Sequence, residues 1–200
     1  MNKARLEAFS DGVLAIIITI MVLELKIPHG QDLAALRPVL PVFLSYVVSF
    51  TYVGIYWNNH HHMLHACSGV SGGVLWANLH LLFWLSLLPF ATGWMGQNDF
   101  GAVPTALYGA VLLMCGLAYW ILERALIAVE GEESMLQRAI GKDRKGITSV
   151  VCYAVAIPLA FYNRRAAQAI YVMTALMWLV PDRRIERMFG AGSREQGFRG

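Results

Sequence analysis

Between Gly12 and Leu23 only Thr19 carries a polar side chain, and Arg5, Ser10 and Asp11 stand immediately before that run. A helix that is apolar on every side is a membrane span or a deeply buried core helix. Leu6 to Leu25 amounts to about 20 residues, enough to cross roughly 30 Å of hydrocarbon. An ionisable Asp11 at the edge of such a span is costly unless it meets a partner, which makes it a functional hypothesis.

Composition decides between the two kinds of helix. Of 200 residues, 57% are hydrophobic and 14% charged, with a mean hydropathy of +0.51. Soluble domains carry about 25% charged residues, so an integral membrane protein is expected. The first apolar run is too long for a signal-peptide core, and Glu7 and Asp11 stand where a basic n-region would be. It is therefore expected to be retained. Cys67, Cys115 and Cys152 lie apart in or beside apolar segments, with no metal spacing and no disulfide framework. They read as small packing residues.

Hydrophobic runs and breakers divide the chain into six expected spans, at about 6–26, 38–59, 74–95, 102–122, 147–162 and 166–180. Pro28 and Gly30 end the first, and Gln31–Arg37 reads as a short polar loop. Pro38 and Pro41 suit the first turn of the second, where a missing N–H costs little. Pro89 is expected to kink the third. Glu123–Gly146 is the one long charged segment, read as a loop or short amphipathic helix. The last two spans are short, and a re-entrant hairpin is the alternative for them. No internal repeat is visible, so residues 1–182 are expected to form one transmembrane domain, followed by a polar tail at 183–200.

Six spans put both termini on one side. That side collects twelve of the 16 lysines and arginines, against Lys26, Arg37, Arg164 and Arg165 on the other. The positive-inside rule then places both termini in the cytoplasm of a cell-membrane protein.

With this topology Ser10 and Asp11, the Trp57–His62 stretch, and Asn78 and His80 share a depth on three helices. Lipid offers none of them a partner. Asp11 accepts hydrogen bonds; Trp57, Asn78 and His61 or His80 can donate them. The expectation is a network pinning the first helix to the next two. His61 and His65 are spaced four apart like zinc ligands, but no His-Glu-x-x-His arrangement or cysteine pair accompanies them. No metal or cofactor is expected. Ile16, Ile20, Leu23 and Ile27 recur along one face of the first helix, with Thr19 beside them. Any membrane helix carries such a stripe against lipid or neighbouring helices.

Arg5-x-x-x-Phe9-Ser10-Asp11 ahead of this helix resembles the first-helix signature of the lysosomal potassium channel family (transmembrane protein 175 type). Weaker matches run through the second and third helices. The resemblance implies an all-α membrane channel with six helices per subunit and a pore on the axis of a homotetramer, lined by the first helix. It also implies that Arg5, Phe9, Ser10 and Asp11 meet tryptophan, histidine and asparagine of the next helices, here Trp57, His61, Asn78 and His80. Counted from the motif, the constricting isoleucine falls on Ile16, and Thr19, Ile20 and Leu23 follow as pore positions. The implied function is passive, leak-like, potassium-preferring cation conduction through a hydrophobic constriction, not enzymatic, with potassium ions and lipid as partners and no nucleic acid. No Thr-Val-Gly-Tyr-Gly-like filter is present, so selectivity would rest on pore diameter and hydroxyls such as Thr19. Two other classes remain open: a secondary transporter using Asp11, Asn78 and His80, and a membrane-embedded metal hydrolase using the histidines.

Overall fold

The computed structural model describes residues 2–67, 69–131, 137 and 144–179. The expected tail at 183–200, the end of the sixth span at Val180 and much of the charged segment after Gly131 lie outside these residues. The described chain is all helical: α1 (Lys3–Leu23), a short 3-10 turn (Leu33–Leu36), α2 (Leu40–His65), α3 (Gly72–Ser86), α4 (Leu88–Gln97), α5 (Ala102–Glu130), α6 (Arg144–Tyr162) and α7 (Arg164–Leu179). Counting α3 and α4 as one broken span, five columns are long and apolar enough to cross a bilayer. The sixth, α7, has 16 residues.

Helix ends differ from the sequence reading for local reasons. α1 starts earlier, because the Asn2 side chain accepts from the Ala4 N–H and caps it, and stops at Leu23 where the Glu24 and Leu25 N–H groups tighten the last turn onto the Met21 and Val22 carbonyls. The polar loop after it contains the 3-10 turn, capped by Asp32 on the Ala35 N–H. α2 runs six residues past Asn59, with His60, His61 and His62 continuing the helix. α5 runs on to Glu130, so Glu123–Glu130 is neither loop nor separate helix; Leu122, Leu126 and Ile127 stay buried and carry the helix onward. The third span breaks at Leu87. Pro89 has no N–H to give to the Leu85 carbonyl, the Leu87 N–H turns back to Trp84, and α4 restarts with proline in its first turn.

The long helices run up and down, so the start of α1, the ends of α2, α5 and α7 and the start of α6 share one end of the molecule, called here the basal end. There the Lys3 ammonium donates to the His65 and Cys67 carbonyls at 3.1 and 2.8 Å, closing the C-terminus of α2, where a cation also suits the helix dipole. The Gly69 N–H donates to Glu130 on α5 at 3.3 Å.

α1 packs on α2, α3 and α4, while α5, α6 and α7 form a second group joined to it through α2, α3 and α4. Between and within the groups, tyrosines and hydroxyls supply directional ties. Tyr52 donates to the Tyr171 carbonyl at 2.6 Å, and Tyr171 donates to that of Thr105 at 3.1 Å. Thr92 bonds Ser49, which bonds Tyr108 at 2.9 Å. Glycine allows two close approaches. A Cβ on Gly96 would lie 2.7 Å from the Val42 Cα, and one on Gly109 would collide with the Tyr171 hydroxyl.

Candidate functional site

α1 presents two faces of the same chemistry and different surroundings. Leu6, Ser10, Leu14, Ile17 and Met21, spaced four, four, three and four, are buried against the subunit. Ile16, Ile20 and Leu23 are 58%, 44% and 78% exposed, and Thr19 is exposed between them. Ile16 and Ile20 also border an open groove with Ser86, Pro89 and Phe90 at the α3–α4 break. Thr19 donates its hydroxyl proton to the Ile16 carbonyl at 2.9 Å. Its donor is spent within the helix, so what it turns outward is oxygen lone pairs, the part of a hydroxyl that a cation uses.

The buried face of α1 is tied down by a directional chain. Asn78 on α3 donates from Nδ2 to the Ser10 Oγ at 3.0 Å, and Ser10 donates to the Leu6 carbonyl at 2.8 Å. The Asn78 Oδ1 faces the His60 Nε2 at 2.7 Å. A carbonyl oxygen only accepts, so His60 carries its proton on Nε2. All three side chains are buried, 0–2% exposed. The chain therefore runs from α2 through α3 into the α1 backbone, each group partnered without water.

Asp11 belongs to a separate contact. Its Oδ1 accepts from the Trp57 Nε1 at 3.0 Å on the exposed side. Trp57 stacks on His61, and His61 on His65, with ring centroids 6.2 and 6.1 Å apart, an aromatic ladder along the last two turns of α2. Arg5 is exposed and Phe9 is 52% exposed.

Two members of the expected network sit elsewhere. His61 is in the ladder, and the histidine on Asn78 is its neighbour His60. His80 accepts from Trp84 at 2.9 Å, one turn along its own helix, and does not join Asp11. Helical spacing explains the first correction: His60 shares a stripe with the buried Val53 and Leu64, whereas His61 follows Trp57. That spacing was the signal available for His60. Asp11, Asn78 and His80 thus belong to three different contacts. No group of three or more histidine, cysteine, aspartate or glutamate side chains able to hold a metal occurs among the described residues.

At the far end of α1, Glu24 is clamped. Its Oε2 accepts from the Gln97 Nε2 at 2.9 Å, and its carboxylate lies where a Gly93 side chain would begin. At the basal end Cys67 is buried beside Glu130; burial, then that carboxylate, push its thiol up to about 11, partly opposed by Lys3.

The fold and site together define an all-helical membrane protein in which one apolar helix, pinned on one face by a buried polar chain, leaves its other face unpacked. Comparison with known proteins agrees on the all-helical membrane fold. Residues 5–89 match the family model described as the endosomal/lysosomal potassium channel TMEM175. A potassium channel of Chryseobacterium sp. (strain P1-3) is 55% identical over 187 residues, covering 94% of this chain and 97% of that one. The human endosomal/lysosomal proton channel TMEM175 is 40% identical over 73 residues, 30% of this chain and 14% of that protein. The crystal structure of a lysosomal potassium-selective channel TMEM175 homolog from Chamaesiphon minutus superposes with a TM-score of 0.74 at 24% identity, covering 89% of this chain and 96% of that one; it shares the fold. The chain belongs to the TMEM175 family.

Proposed function

We propose that this protein is a subunit of a passive, potassium-preferring channel in the cell membrane, with both termini cytoplasmic and the transmembrane domain at 1–182. Four copies surround one axis, and the exposed face of α1 lines the pore. The observation that carries this reading is the unpacked stripe Ile16, Thr19, Ile20 and Leu23 on a helix whose opposite face is buried. The potassium-channel relative from Chryseobacterium supplies the ion.

The chemistry of such a pore follows from its residues. Aliphatic rings cannot replace an ion's hydration shell, but they control whether water fills a constriction. Ile16 is the gate in this reading. Thr19 offers lone pairs one turn further out, and Ile20 and Leu23 extend the apolar wall. Ser10, Asn78 and His60 touch no ion; they hold α1 in register, as Arg5, Phe9, Asp11, Trp57 and His61 do near the basal surface. His80 serves packing within α3. The ion needs no cofactor and no chemical step.

The test is potassium efflux from liposomes under an imposed gradient. Wild type conducts, and Ile16→Asn, which wets the constriction, conducts faster. Absence of flux from folded, oligomeric wild type and variant alike contradicts the proposal. Because the matched human relative is named a proton channel, proton conduction is the second reading. The same vesicles loaded with a pH-sensitive dye discriminate, since proton entry without potassium efflux favours it.

A further inference from the structure

Away from α1, the basal halves of α2, α5, α6 and α7 enclose a cavity of about 290 Å³. It lies close to the lower bound of about 300 Å³ for pockets that bind small molecules. Its walls are Tyr52 and Tyr56 from α2, Gly116 and Trp120 from α5, Val150 and Tyr153 from α6, with Trp178 of α7 closing it. Gly116 helps keep it open: the nearest atoms to a Cβ there are the Val150 methyl at 3.6 Å and the Tyr56 hydroxyl at 3.9 Å. Ile147 and Val151, 64% and 56% exposed, line it from α6. Exposed apolar side chains on a membrane-spanning helix are chemically matched to acyl chains.

Two cations stand near the cavity. The Arg124 guanidinium lies 5.6 Å from the centre of the Trp120 ring, and the Lys145 ammonium 5.7 Å from that of Trp178. Both rings line the cavity, so each cation stands beside one of its aromatic walls. Trp178 also donates to the Ser149 Oγ at 2.8 Å, which fixes its ring as a wall. An apolar slot with two cations beside its aromatic walls matches the two ends of one kind of molecule.

We propose that this cavity is a binding site for an anionic phospholipid, with an acyl chain between α2, α5 and α6 and the headgroup phosphate against Arg124 and Lys145. Lipid is the occupant favoured over a soluble ligand because the lining is apolar and Ile147 and Val151 within it are exposed. The site lies on helices other than the pore helix, and its occupancy is measurable without reference to conduction.

The test is native mass spectrometry of the purified protein, titrated in detergent with phosphatidylglycerol or phosphatidylcholine of equal chain length. The proposal predicts one retained phosphatidylglycerol per subunit and weaker retention of phosphatidylcholine. Each of Arg124→Gln and Lys145→Gln lowers phosphatidylglycerol affinity by about fivefold, since a basic residue near a membrane surface contributes on the order of tenfold or somewhat less. Gly116→Leu fills the slot and abolishes retention, whereas Gly116→Ala, which has room, keeps it. Equal retention of both lipids overturns the proposal. So does unchanged phosphatidylglycerol binding in the charge variants, or failure of the wild type to retain any lipid because another part of the chain occupies the slot.

Discussion

Asn78 is the residue on which the attachment of α1 turns. It gives a proton to Ser10 and takes one from His60, at 3.0 and 2.7 Å, all three side chains being buried. Asn78→Ala strands two polar groups where no water reaches them, a loss of about 1–3 kcal/mol. The thermal midpoint of the purified protein should fall clearly for Asn78→Ala and less for Trp57→Phe, because the Trp57–Asp11 bond is exposed and water can replace it. Equal falls would contradict the assignment of the buried chain. Cys67 gives a second test at this scale. Its thiol is pushed up to about 11, and the thiolate is the reactive form. Below that pH the group is protonated, so maleimide at about pH 7.5 should leave Cys67 unmodified in the folded protein, with labelling rising as pH approaches the pKa. Rapid labelling at neutral pH would show that the basal knot of Lys3, Cys67 and Glu130 is open.

Among the elements, α4 depends on how closely it meets α2. A Cβ on Gly96 would sit 2.7 Å from the Val42 backbone, whereas one on Gly54 meets nothing within 4 Å. Gly96→Ala should cost about 1–3 kcal/mol by overpacking, read as a lower thermal midpoint, while Gly54→Ala should leave the midpoint in place. A neutral Gly96→Ala would mean that the α2–α4 contact is looser than described. The helices differ in how far their sequences disclose them. The long helices were legible because lipid demands long apolar runs, and the break near Pro89 because proline removes a donor. The extension of α5 through Glu123–Glu130 was not, since its charges mask the buried Leu126 and Ile127. Nor was the choice of His60 over His61, which rests on a stripe of mixed residue types.

For the whole molecule, the account rests on which face of α1 meets the pore. Residue type cannot tell the buried Leu14 and Ile17 from the exposed Ile16 and Ile20, because in lipid both faces of a span are apolar and the usual contrast of inside and outside vanishes. The position of the Arg5–Asp11 motif could assign a register by resemblance; only packing separates the faces. The most direct measurement places single cysteines on the two faces, with Cys67, Cys115 and Cys152 replaced by alanine, and follows potassium flux as a charged methanethiosulfonate is added. Ile20→Cys and Leu23→Cys should lose conduction on modification, whereas Leu14→Cys and Ile17→Cys should keep it. Block from the Leu14 or Ile17 positions, or full modification of Ile20→Cys and Leu23→Cys with flux unchanged, would contradict the claim that the unpacked face of α1 lines the pore.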